Sequence, residues 1–137
     1  MIDKGNTTTL PYPDPRNDQE VFTFVVTNLL QQNEKSVSCM GMCLYRCYKE
    51  DGRVLKCAAG WLIPDEDYTP EFDSQDGDVT FVEGSLNNRA TNYFRAKGFN
   101  LDLLFYLQST HDRFNVKDWK NEFAILAKEF GLVFCIK

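Results

Sequence analysis

The chain has few of the residues on which small enzymes depend. It contains one histidine in 137 residues, so any imidazole chemistry would have to use His111. Its eight glycines are scattered, and none forms a Gly-rich run ahead of a Lys and a Ser or Thr, which excludes a phosphate-binding loop of the usual kind. No apolar stretch approaches the roughly 20 residues needed to cross a bilayer, and the first residues lack a secretory hydrophobic region. The five cysteines contain no two-residue knuckle. An odd, clustered set of this kind reads as reduced thiols in a cytoplasmic protein rather than a disulfide framework. Positive charge is missing from one long interval. No Lys or Arg lies between Lys56 and Arg89, while Asp65, Glu66, Asp67, Glu71, Asp73, Asp76, Asp78 and Glu83 all fall there. An acidic lobe repels phosphate, so nucleic acid is not the expected partner; a basic protein surface or a metal ion is the more natural one.

What is present describes one ordered domain. Hydrophobic residues make up 43% of the chain and aromatic residues 14%. That is enough to close a single core at this length. Residues 1–17, rich in Thr and Pro, predict a flexible lead-in, and residues 18–137 the domain itself. Asn17 followed by Glu20 is a capping box, and Phe22, Val25, Val26, Leu29 and Leu30 continue it at helical spacing, predicting a helix over 18–32. Glu50-Asp51-Gly52 predicts a hairpin turn. Its register sets Tyr48 opposite Val54, Cys47 opposite Leu55, Arg46 opposite Lys56 and Tyr45 opposite Cys57. One face then carries Tyr45, Cys47, Leu55 and Cys57, with Cys43 beyond them, and the other carries the two cations. Residues 57–63 predict a short helix ended by Pro64.

Further along, Ser85 and Gly98 bracket a helix with Leu86, Ala90, Tyr93 and Phe94 on one stripe. Asn100 opens another to about Asp112, with Leu101, Leu104, Phe105, Gln108 and His111 along one side. Asn115 opens the last, carrying Trp119, Phe123, Leu126, Ala127 and Phe130 before Gly131. Short strands are expected at 79–82 and 132–136. The fold class is α+β: about four main helices packed on a short antiparallel hairpin.

Gly41-x-Cys43-x-Tyr45-Arg46, Asp51-Gly52-x-x-Lys56-Cys57-Ala58-x-Gly60-x-Leu62-Ile63-Pro64-Asp65-x-x-Tyr68, Leu107-Gln108-x-x-His111-Asp112 and Trp119 together resemble a group of small proteins of bacteria and tailed phages. The group has no assigned activity. The resemblance implies a shared fold and a phage or mobile-element setting, and brings no catalytic residue.

Several sets of residues are candidates for chemistry. A thiol hydrolase or transferase would use Cys57 or Cys43 as nucleophile, His111 as base, and Asp112 or Gln108 to orient it. The plain alternative makes the cysteines small core residues and His111 a hydrogen-bonding group near a helix end. Zinc at Cys39, Cys43, Cys47 and Cys57 is disfavoured by spacing, because four residues of strand separate successive ligands by about 13 Å, and only a helix or sharp bend at 39–47 would bring them together. The stretch 72–83 matches the second half of a calcium loop, with Ser74, Asp76, Asp78 and Glu83 in ligand positions. Phe72, however, stands where the first acid is required. No cofactor or metal is therefore expected. The leading expectation is a non-enzymatic accessory protein that meets a host or phage protein through Asp65, Glu66, Asp67, Glu71, Asp73, Asp76 and Asp78.

Overall fold

A computed structural model describes residues 10–37, 44–73 and 88–134. Within these residues the order is α1 (Asp18–Gln32), β1 (Arg46–Tyr48), β2 (Val54–Lys56), a 3-10 turn (Ala59–Leu62), a second 3-10 turn (Pro70–Asp73), α2 (Asn88–Lys97), α3 (Leu101–Arg113) and α4 (Val116–Glu129). Four helices with a two-stranded antiparallel sheet make this a small α+β domain, as the periodicity predicts. No helix among the described residues is long and apolar enough to cross a membrane.

The local signals act where they stand. Asn17 accepts from the Glu20 backbone N–H at 3.0 Å, and the Glu20 carboxylate reaches back to the Asn17 amide and to the Asp14 backbone N–H. The first of these bonds satisfies a donor that every helix start leaves open, and the other two hold the residues leading into it. Asn100 caps α3 through the Asp102 and Leu103 N–H groups, and its own amide donates to Asp18 at 2.9 Å, tying the starts of α1 and α3 together. Asn115 holds the cap position of α4 without a side-chain bond. Gly98 and Gly131 end α2 and α4 at positive φ, where a Cβ would be strained.

The hairpin has the expected register, Arg46 with Lys56, Cys47 with Leu55 and Tyr48 with Val54. Tyr45 and Cys57, which flank the strands, join a core built from Phe22, Val25 and Leu29 of α1, Leu103, Leu104 and Leu107 of α3, and Trp119 and Phe123 of α4. Gly60 is needed at the join, because a Cβ there would run into the Tyr45 carbonyl oxygen. An aromatic chain links the hairpin to the helices. Tyr45 meets Phe72, Phe72 meets both Tyr68 and Tyr93, and Tyr93 leads through Phe94 to Phe99, with centroids 5.2–6.2 Å apart.

Four expectations need correction or lie outside the described residues. The Pro-rich lead-in is fixed from Tyr12 onward. Tyr12 donates to the Leu62 carbonyl and packs edge-on against Phe24, Pro13 is buried, and the Arg16 side chain lies against Gly98. On α3 the buried stripe runs through Leu103 and Leu107 as well as Leu104, Gln108 and His111, and Phe105 faces outward. Residues 132–134 form no strand; Val133 is held instead by both ends of the Gln19 amide, at 2.8 and 2.9 Å. The expected strand at 79–82 and residues 135–136 lie outside the described residues.

Candidate functional site

The thiol and imidazole parts come first. Cys57 has no exposed surface, and its sulfur accepts the Gly60 backbone N–H at 3.4 Å, closing the start of the 3-10 turn. His111 is also fully buried, stacked on Trp119 with centroids 5.4 Å apart. Its Nε2 accepts the Ser36 backbone N–H at 3.3 Å, which leaves the ring proton on Nδ1, facing Asp112 Oδ1 at 2.7 Å. Asp112 does orient the imidazole, as a catalytic acid would. The far nitrogen, however, meets a backbone amide rather than a nucleophile. Both ring nitrogens are committed, so His111 has none to offer a thiol.

The same residues make good struts. Gln108 donates to Asp112 at 3.0 Å and accepts the Ala59 N–H at 3.0 Å, while Lys35 donates to the Asp112 carbonyl at 3.0 Å. Ser36 Oγ lies 2.7 Å from the Leu44 carbonyl and 3.2 Å from the Leu55 carbonyl. The buried polar groups of Ser36, Gln108 and His111, with the partly buried Asp112, thereby tie α3 to the hairpin, the 3-10 turn and the segment after α1. A satisfied buried network of this kind fixes one arrangement of the core. Cys47 is half-buried with its sulfur 3.5 Å from the Val37 carbonyl. Cys43, the other candidate nucleophile, lies outside the described residues, as do Cys39 and Cys135.

The acids of 65–73 divide into two groups. Asp73 turns inward: one oxygen accepts the Tyr45 N–H at 2.6 Å, and the other accepts the Arg46 N–H at 3.3 Å and the Tyr68 hydroxyl at 2.6 Å. Asp67 accepts from the Tyr93 hydroxyl and lies 3.6 Å from Lys97. Both acids fasten this segment to the domain. Burial, and then these carboxylates, push the Tyr68 and Tyr93 hydroxyls well above the usual phenol range. Asp65, Glu66 and Glu71 are exposed. Asp65 meets Arg46 at 2.7 Å with its own side chain 83% exposed, against 9% for the arginine. The arginine is held from behind by the Tyr68 ring at 4.4 Å and the Ile63 carbonyl at 3.1 Å. Asp76, Asp78, Ser74 and Glu83 lie outside the described residues. Among the described residues no group of three or more His, Cys, Asp or Glu is placed to hold a metal ion.

The bonds that matter most were not visible as site signals. Gln32 accepts the Lys56 N–H at 3.0 Å and donates to its carbonyl at 2.9 Å, sealing the outer edge of β2 as Asp73 seals that of β1. The partners lie 24 to 28 residues apart, and no local pattern announces them.

The chain matches no family model, no characterised protein and no solved structure.

Proposed function

We propose that this is a non-enzymatic accessory protein that acts by binding another protein, and that Asp65, Glu66 and Glu71 make the contact. The observation that carries this reading is the asymmetry of the Arg46–Asp65 pair, in which the base is buried and the acid stands in solvent. An arginine fixed by a ring and a carbonyl holds the carboxylate in position before any partner arrives, so less side-chain freedom remains to be lost on binding. A basic patch on a partner would also be drawn to this surface, which raises the rate of encounter. Asp67 and Asp73 belong to the fold, not to the contact. The resemblance to small proteins of bacteria and tailed phages makes a host or phage protein in a bacterial cytoplasm the expected partner.

The test is a triple variant, Asp65→Asn with Glu66→Gln and Glu71→Gln, in the full chain expressed in its native cells. Wild type should capture a protein whose retention weakens as salt is raised, and the variant should lose it while melting at nearly the same temperature. An identical set of captured proteins from both chains would overturn the reading.

A further inference from the structure

The outer face of the hairpin carries an amine with an unusual environment. Lys56 stands directly opposite Arg46, and like charges across a strand pair are unfavourable. Its nitrogen lies 4.7 Å from the centre of the Trp61 ring, and the side chain is half-buried. No carboxylate among the described residues comes within 4.0 Å of that nitrogen. Asp65, whose charge acts on the amine, is bonded to Arg46 instead. The element beneath, α1, contributes the neutral amide of Gln32, which is used by the Lys56 backbone.

We propose that Lys56 is a covalent acceptor for activated acyl groups, with a small acyl phosphate or acyl thioester as the donor. The lysine must be uncharged to react; the Trp61 ring face favours the ammonium form, and two other features of the site oppose it. Burial comes first and the facing Arg46 second, both holding the amine below its ordinary range, with Asp65 opposing them more weakly. In the step itself the neutral amine attacks the acyl carbonyl carbon and a C–N bond forms. The bond to phosphate or thiolate sulfur breaks, the leaving group departs with the electron pair, and the amine proton passes to water. The product amide is neutral and can remain against Trp61, with the repulsion from Arg46 removed.

The experiment exposes the folded full chain to acetyl phosphate, and in a second arm to acetyl-coenzyme A, and maps acetylated peptides by mass spectrometry at low conversion. Lys56 should react several-fold faster than the exposed Lys117 and Lys120, and that advantage should vanish in urea. Asp65→Asn, at an exposed position, should accelerate Lys56; Arg46→Gln should slow it. Reaction in one arm alone identifies the donor class. Equal or slower acetylation of Lys56 than of Lys117 and Lys120 in both arms would overturn the proposal, as would an Asp65→Asn rate below that of wild type.

Discussion

Asp73 and Asp65 are eight residues apart and chemically identical, yet the fold uses them in opposite ways. Removing Asp73 with alanine leaves the Tyr45 and Arg46 N–H groups and the Tyr68 hydroxyl without their acceptor. The expected cost is about 2–4 kcal/mol, since buried donors stripped of a charged acceptor lose roughly 1–3 kcal/mol each and this site is partly open to water. Asp65→Asn should cost about 0–1 kcal/mol, as surface ion pairs do. Urea midpoints for the two variants check the contrast, and equal midpoints would contradict the assignment of roles. Cys57 supplies a second test at this scale. With no exposed surface and its sulfur engaged by Gly60, it should resist a thiol reagent in the folded protein and label fully once unfolded. Rapid labelling of Cys57 under native conditions would restore the case for a thiol enzyme. Sequence alone shows eight acids spread over residues 65–83. It does not show which of them turn inward, because the groups that decide it lie 27 and 28 residues earlier in the chain.

Among the elements, those set by short-range rules were legible and those set by packing were less so. The hairpin register follows from putting Arg46 and Lys56 on one face, and the limits of α1 follow from Asn17 and Glu20; both were readable. On α3 the apolar residues are too numerous to define one stripe. Leu101, Leu103, Leu104, Phe105 and Leu107 compete, and contact with α1 and α4 rather than spacing decides that Phe105 faces water. The contact between the hairpin and the 3-10 turn gives the next prediction. Gly60→Ala places a methyl group against the Tyr45 carbonyl, where backbone must move on both sides, and should cost about 3 kcal/mol. Gln32→Ala opens the outer edge of β2 and should cost about 1–2 kcal/mol. Hydrogen exchange distinguishes the two effects. The Lys56 amide should lose protection selectively in the glutamine variant, whereas Gly60→Ala should loosen Ala59–Leu62 together with the hairpin.

At the scale of the whole molecule, the segments outside the helices are held by hydroxyl groups and carboxylates as much as by apolar contact. Tyr12 fixes residues 10–17 to the Leu62 carbonyl, Tyr93 holds Asp67, and Tyr68 holds Asp73. All three phenols are pushed upward, Tyr12 to about 12, first by burial and then by the charges of Asp67 and Glu66. The sign of the pH dependence follows from linkage. A phenol whose folded value exceeds its unfolded value of about 10 stabilises the fold fully below that pH, and the contribution is lost as pH rises through the folded value. The melting temperature should therefore fall between about pH 10 and pH 12, the interval separating the ordinary and the folded value of Tyr12. Phenolate absorbance from Tyr12, Tyr68 and Tyr93 should appear together with loss of structure rather than before it. Tyr12→Phe should lower stability at neutral pH by about 1 kcal/mol, the worth of one hydroxyl bond, and should make the alkaline decline shallower. If all six tyrosines ionised while the fold stayed intact, these hydroxyl groups would not be what anchors the lead-in and the acidic segment.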